Sequence, residues 1–403
     1  MKRLYNALIL AISCVLFIYT SKSVAQKANG LPHSKLLTNF PFTILTGGII
    51  LVKATVDDSK DSLTFILDTG SGGISFDSST VEKLHFPLVK TDKVIKGIAG
   101  TQKLTFTYNH CLHFPRLIID SLNFHINNYD LLTSVYGIKI DGVIGYSFLK
   151  RFIIQINYDK LMIDVYTPSL FKYPHGGFLI KPYLTPLPTT DATIVDSHTI
   201  ESSFIFDTGA GLCMLLTNDF VNDSTVFKKK RKHYPTQGEG IGGKAKMMLS
   251  ILKQVRFGPH WFRDVPVYTF ADDYNVTSYP ANSGIIGNDL LRRFNVILNY
   301  PDDHIFLKPN SHYLDSFNYA YTGLAIYQTD NKVEVIDIIP NSPGEQAGFK
   351  IGDVILGVDK LLLKNIQAVK VALQEAGTTV KVIISRNGEM MELKLKIKNI
   401  LTG

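Results

Sequence analysis

The sequence predicts a mainly β protein of two lobes related by a pseudo-two-fold, followed by a small α+β domain. Three observations carry that prediction: a long internal repeat in the middle of the chain, short strand-like apolar runs within each copy, and a change of pattern from about residue 317 onward. The 403 residues are 45% hydrophobic and 19% charged, which supplies apolar material for two or three packed domains and excludes a disordered or collagen-like chain. The formal charge of +7 is mildly basic, and Lys2, Arg3 and Lys22 contribute to it from a segment expected to be removed. That balance is too weak to imply nucleic acid as a partner.

The first element is a leader. Lys2-Arg3 precede an apolar run from Leu4 to Tyr19, and Ser23-Val24-Ala25 stand before Gln26, so residues 1–25 read as a secretory signal. The expectation is export to the periplasm or cell envelope, or secretion, and an uncleaved leader would hold the protein beside a membrane. A mature chain would keep only Cys111 and Cys213, too few for a disulfide scaffold, and Cys213 in its apolar surroundings reads as a buried free thiol.

The repeat follows. Its first copy runs Thr64-Phe65-Ile66-Leu67-Asp68-Thr69-Gly70-Ser71 and its second Ser203-Phe204-Ile205-Phe206-Asp207-Thr208-Gly209-Ala210, each a short apolar strand ending in Asp-Thr-Gly. Downstream lie two glycine-rich turns that read as hairpin tips, Gly97-Ile98-Ala99-Gly100 and Gly240-Ile241-Gly242-Gly243. Further on, the segment 141–152 around Gly145 matches 283–294 around Gly287, and Asn157-Tyr158 matches Asn299-Tyr300. One lobe has been duplicated, giving expected lobes at 26–170 and 171–312. Prolines 168, 174, 182, 186 and 188 mark a connector between the lobes, which is not expected to build central strands.

From Lys332 the chain offers a strand, a Pro340-Asn341-Ser342-Pro343 turn, a strand from Val354 to Val358, a helical face of Ile366, Val369 and Leu373, and alternation on either side of Asn387-Gly388. Residues 317–400 are therefore expected to form a separate domain.

The chemistry resides in the two triplets. Hydrolysing a peptide without metal or covalent intermediate needs one group to deprotonate water and another to protonate the amide, and two carboxyls sharing one proton serve both needs. Thr69 and Thr208 have hydroxyls to lock the two loops together. Gly70 and Gly209 permit the sharp turn after each Asp, and Gly145 and Gly287 let a second strand pass close by. The bland alternative is a pair of Asx-type turns capping ordinary strands. Lys228-Lys229-Lys230-Arg231-Lys232 reads as a solvated loop, and the histidines lack ligand spacing, so neither a metal site nor a cofactor is expected.

Over about residues 40 to 310 the chain resembles the aspartic peptidases, the group that includes pepsin and the retroviral proteases. The resemblance implies that Asp68 and Asp207 form a catalytic dyad and that the loops are supported by Thr69, Gly70, Ser71, Thr208, Gly209, Ala210, Gly145 and Gly287. It also implies that hairpin flaps close over a polypeptide substrate. The two glycine tips are more like the paired flaps of the retroviral type, and no tyrosine stands between Lys93 and Lys103 where pepsin-like flaps carry one. Ser71 has Ala210 as its counterpart, and the loss of a hydroxyl beside Asp207 predicts a raised dyad pKa and activity reaching toward neutral pH.

The stretch from Ile339 to Leu356 resembles a PDZ domain of the kind fused to bacterial envelope proteases. That likeness implies recognition of a peptide or protein C-terminus, with Tyr321-Thr322-Gly323-Leu324 as the candidate carboxylate loop and a structural turn as the alternative. The expected activity is an aspartic endopeptidase acting on extended or unfolded polypeptides, or a regulatory protease cutting one membrane partner. The competing expectation is an envelope adaptor that holds peptides without cutting them. Both Asp residues lie in one chain, so a monomer suffices to complete the site, with domain exchange as the alternative.

Overall fold

The computed structural model describes residues 32–402, so the expected leader lies outside the described residues. Residues 32–35 and 169–172 form a small unit of their own, joined by a parallel bridge between His33 and Leu170. The rest is one compact unit. Among the described residues no helix is long and apolar enough to cross a membrane.

Each lobe is an eight-stranded sheet, and the two sheets follow the same path. In lobe 1 the order of strand starts is Thr43, Ile50, Leu63, Gly142, Ile74, Leu117, Gly100 and Val89; in lobe 2 it is Tyr183, Pro188, Thr199, Gly284, Met214, His260, Gly243 and Tyr234. Each sheet curls back on itself through one extra pairing, Ile50–Val56 with Gly100–Phe114 and Pro188–Val195 with Gly243–Phe257. The strand leading to the first triplet, Leu63–Leu67, is buried at every position. It lies inside the sheet with both faces covered, which is why its sequence is a continuous apolar run and not an alternating one.

A six-stranded sheet joins the lobes. Its central pair is Ile153–Asn157 against Phe294–Asn299, the two strands that follow the matching Gly145 and Gly287 segments. Ile154, Ile156, Val296 and Leu298 are fully buried there, and one apolar core runs through both lobes. The connector departs from expectation. It supplies an edge strand to this sheet at Phe178–Ile180, and Pro188 opens Pro188–Val195, a strand paired on both sides. Proline is tolerated there because it is the first residue of the strand.

The C-terminal domain has its own core of Val335, Ile355, Ile366, Val369, Val382 and Leu395. Its helix Ile366–Ala372 is capped by the Asn365 side chain, which accepts from the Ala368 amide. Ile366 and Val369 are buried as their spacing predicts, and Leu373 follows as the last residue of that face. The domain meets lobe 2 through a small cluster containing Tyr234, Leu249, Tyr321 and Ile400. Cys111 and Cys213 are free thiols, and Cys213 is buried.

Candidate active site

Each Asp-Thr-Gly triplet sits where a lobe strand ends beside a parallel neighbour. Leu63–Leu67 runs parallel to Gly142–Ile144, and Thr199–Asp207 runs parallel to Gly284–Gly287. In lobe 1 that neighbour also pairs with Ile74–Asp77, the strand after the loop, so it threads between the two limbs of the turn. The threading is tight. A Cβ on Gly145 would strike the Ser71 carbonyl, and one on Gly287 the Leu212 carbonyl. The chain then bonds back to the loops, Tyr146 N to Ser71 O at 3.0 Å and Asn288 N to Ala210 O at 2.7 Å.

The two loops are locked across the pseudo-two-fold. The Thr69 hydroxyl donates to Phe206 O at 2.7 Å and accepts from Thr208 N at 2.9 Å; the Thr208 hydroxyl donates to Leu67 O at 3.0 Å and accepts from Thr69 N at 3.1 Å. Both threonines are buried, so these four bonds satisfy main-chain groups that water does not reach.

This lock brings Asp68 and Asp207 together, and their carboxyls share a hydrogen bond. Each glycine of the triplet lies beneath the opposite carboxyl: a Cβ on Gly70 would overlap that of Asp207, and one on Gly209 that of Asp68. Gly70 N donates to Asp68 Oδ1 at 2.7 Å, and Gly209 N and Ala210 N donate to Asp207 Oδ1 at 2.7 and 3.1 Å. By surface area the carboxyls are partly open to the cleft, yet protein encloses them on every other side. Burial, and then the charge of Asp207, hold the Asp68 carboxyl well above the usual carboxylate range. Burial raises Asp207 too, opposed by its hydrogen bonds to Asp68 and to the Gly209 and Ala210 amides. The pair therefore retains a proton where isolated carboxyls have lost theirs.

Ser71 approaches Asp68 through its main-chain amide, and its hydroxyl is not among the groups reaching that carboxyl. Ala210 supplies the same amide in lobe 2. The expected effect of the Ser71/Ala210 difference thus has no direct bond behind it, because the backbone does in both lobes what the sequence reading gave to a side chain.

Above the dyad lies a cleft of about 1790 Å³. Its roof is the two glycine-tipped hairpins, Val89–Gly97 with Gly100–Phe114 and Tyr234–Gly240 with Gly243–Phe257. The tips touch: Ala99 N lies 3.4 Å from Ile241 O, Gly97 packs beneath the Ile241 carbonyl, Gly100 meets Gly242, and Ile98 covers Gly240. Gly242 and Gly243 take positive φ, which a tip this narrow requires.

At the C-terminal domain, Gly323 also has positive φ, and Thr322 to Leu324 lead into the edge strand Leu324–Thr329. Tyr321 lines the same chamber as Thr322, Gly323 and Leu324 and is also held from outside the domain. It pairs in a short strand with Lys398–Asn399, stacks near Tyr234 at 5.3 Å, and donates its hydroxyl to Pro235 O of the second hairpin at 2.8 Å. Lys228 to Lys230 are exposed in a turn, and Arg231 pairs with the buried Asp196.

Several residues around the site carried no local signal. Tyr158 donates to Asn288 Oδ1 at 2.9 Å, whereas Tyr300, its counterpart, faces Tyr146 at 6.2 Å between ring centres and its hydroxyl has no partner among the described residues. Burial and the charges of the dyad push the Tyr300 phenol well up. Tyr327, Gln237 and Glu239 join the C-terminal domain to the second hairpin, with Tyr327 Oη donating to Glu239 Oε1 at 2.9 Å. Such pairings lie 88 residues apart in sequence and only packing reveals them.

Comparison with known proteins agrees with this layout. The family model described as "Aspartyl protease" matches the chain twice, over 52–148 and 190–290, and that described as "PDZ domain" matches 320–397. Among curated proteins, "Serine protease HTRA1" of Xenopus tropicalis is 30% identical over 66 residues, 16% of this chain and 14% of that protein. A "Putative zinc metalloprotease" of Borreliella burgdorferi is 37% identical over 72 residues, 17% of each chain. The chain thus spans less than a fifth of the length of the curated relatives it matches. The domain content is that of a protease with a peptide-recognition module.

Proposed function

From a chain built of two aspartyl-protease repeats followed by a PDZ domain, we propose an aspartic endopeptidase that cuts extended polypeptides with water activated by Asp68 and Asp207. The observation that carries the reading is the pair of carboxyls, hydrogen-bonded to each other at the floor of a cleft roofed by two hairpins. A binder of peptides gains nothing from burying two acids in contact, since their mutual repulsion has to be offset by the fold. A general acid–base catalyst needs that arrangement.

In this mechanism the dyad enters with one shared proton, held preferentially on Asp68. A water taken up between the carboxyls loses a proton to the ionised Asp207 as its oxygen attacks the scissile carbonyl. The proton on Asp68 passes to the carbonyl oxygen, giving a neutral tetrahedral diol. Proton transfer from the now protonated carboxyl to the amide nitrogen then lets the C–N bond break, and the diol returns its hydroxyl proton to the other carboxyl. The flap tips exclude bulk water and hold the substrate backbone extended. The expected place of action is the cell envelope or the medium outside, following from the leader.

The test is digestion of casein or a peptide library by wild type, Asp68→Asn and Asp207→Asn, with and without a statine-type inhibitor. Turnover by wild type alone, abolished by the inhibitor, supports the reading. Equal turnover by all three proteins leaves the dyad reading without support, and turnover by none favours the adaptor in its place.

A further inference from the structure

The peptide groove of a PDZ domain runs between an edge strand and a helix, here Leu324–Thr329 and Ile366–Ala372. Its outer end is filled by lobe 1. Helix Asp130–Tyr136 packs along the edge strand, and the next residue, Gly137, sits between Gln328 and Ile366 so closely that a Cβ would fall 2.6 Å from each. Side chains of the PDZ helix hold it there: Lys370 Nζ donates to Val135 O at 2.8 Å, and Gln367 Nε2 donates to Tyr136 O at 3.1 Å. Gln367 Oε1 in turn accepts from the amide and hydroxyl of Thr46 at 3.1 and 2.9 Å. A partner adding itself as a strand from that side meets protein, not an open edge.

The inner end lies beside the catalytic cleft. A chamber of about 300 Å³ lies against Thr322, Gly323 and Leu324, and Thr46, Val135, Glu239, Tyr268, Lys370 and Gln374 wall both it and the catalytic cleft. The carbonyls of Thr322 and Gly323 are tied into the domain by Gly344 N and Ile339 N, each at 2.8 Å. A planar trans peptide sets each N–H opposite its C=O, so the amide of Gly323 points away from that partner, while the amide of Leu324 donates to Thr322 Oγ1 at 3.3 Å, a long bond that an incoming carboxylate would share or replace. Lys370 brings a cation to the same chamber, and the facing acid, Glu239, is engaged by Tyr327 Oη and Gln237 Nε2, both at 2.9 Å.

We propose that this chamber receives the C-terminal carboxylate of the same polypeptide whose scissile bond lies on the dyad, so that the enzyme removes C-terminal segments of set length. The proposal rests on the peptidase reading for its second half. Its first half, one chain occupying cleft and chamber together, is a statement about binding alone. Amides and an ammonium group match a free carboxylate and discriminate against a C-terminal amide, which brings no charge.

The test uses the full chain and paired peptides, one member with a free C-terminal carboxylate and one amidated. Each carries a statine unit placed between about two and ten residues from its end, spanning the reach of an extended chain. Affinities are read by calorimetry. The expected result is one peptide per protein and an advantage of the acid over the amide of about tenfold or more that peaks at one spacing. Lys370→Met should reduce the ratio of acid to amide affinity and Lys370→Arg restore it. No acid–amide difference at any spacing, or the same difference at every spacing, overturns the proposal. If the peaked preference is found and no peptide without statine is ever cut, the peptidase reading falls and the shared groove stands.

Discussion

The two lobes share one strand path and one loop geometry, yet they differ in what holds them from outside. The hairpin of lobe 2 is fastened to the PDZ domain by Tyr321 to Pro235 and by Tyr327 to Glu239 and Gln237, with the Lys244 ammonium 4.8 Å from the centre of the Tyr327 ring. The hairpin of lobe 1 carries exposed Val89 and Val94 on its first strand. The floor of the cleft is symmetric, held by the four threonine bonds. The added domain broke the symmetry at the roof. The floor looks alike from either side in its backbone and threonine bonds, whereas the roof gives the cleft a direction.

The largest effect should come from the floor. Thr69→Ala and Thr208→Ala each remove a hydroxyl that serves two buried main-chain groups, and the expected cost is about 1–3 kcal/mol of unfolding free energy for each. Activity should fall about 100-fold as the carboxyls lose their alignment. Denaturant titration and peptide turnover measure both. Unequal losses would mean that the pseudo-two-fold is less strict than the four bonds indicate.

Hydrogen exchange probes the roof. Amides in 236–246 should exchange about tenfold more slowly than those in 93–103, a difference of about 1.4 kcal/mol in opening. Tyr327→Phe, which removes the hydroxyl bonded to Glu239, should narrow the gap by about half. Equal rates in the wild type would place the asymmetry elsewhere.

Stability against pH separates the two acids. A carboxyl whose folded pKa is raised contributes stability that is fully present below the unfolded value, ordinarily 3.8 here, and lost as pH rises through the folded value. Asparagine at 68 cannot ionise and escapes that loss. Asp68→Asn should therefore be more stable than wild type at neutral pH, with the gap closing below about pH 4. Asp207→Asn should gain less, since hydrogen bonds oppose burial at Asp207. Thermal unfolding from pH 3 to 7 checks the order.

The smallest effect is expected from Ala210→Ser. Activity should decline as the shared proton is lost through the raised pKa, so the upper limb of the pH–rate profile lies above the ordinary carboxylate range. Because amides serve both carboxyls, the added hydroxyl should move that limb by less than about one pH unit. A larger downward shift would restore weight to the side chain at this position.

What could be read without coordinates follows a physical line. The apolar run Thr64 to Leu67 and its twin Ser203 to Phe206 announced buried strands because a strand covered on both faces has no polar alternation to obscure it. The helix face Ile366, Val369 and Leu373 was equally plain. The connector was misread at Pro188, since proline's effect depends on whether it opens a strand or interrupts one. That Tyr321 of the candidate loop also braces a hairpin could not be read, for its hydroxyl partner belongs to another domain.

The sequence by itself determined the duplicated mainly β lobes, the small domain behind them and the residues at the turn of each lobe. Periodicity, repeats and glycine placement are local properties, and the chain records them in order. The tertiary structure alone decided that Lys370 and Gln367 grip the last turn of a lobe 1 helix, that Glu239 meets Tyr327, and that the PDZ chamber and the cleft share walls. Those contacts depend on how separately packed surfaces come to lie together, and the partners share neither a period nor a neighbourhood in the chain.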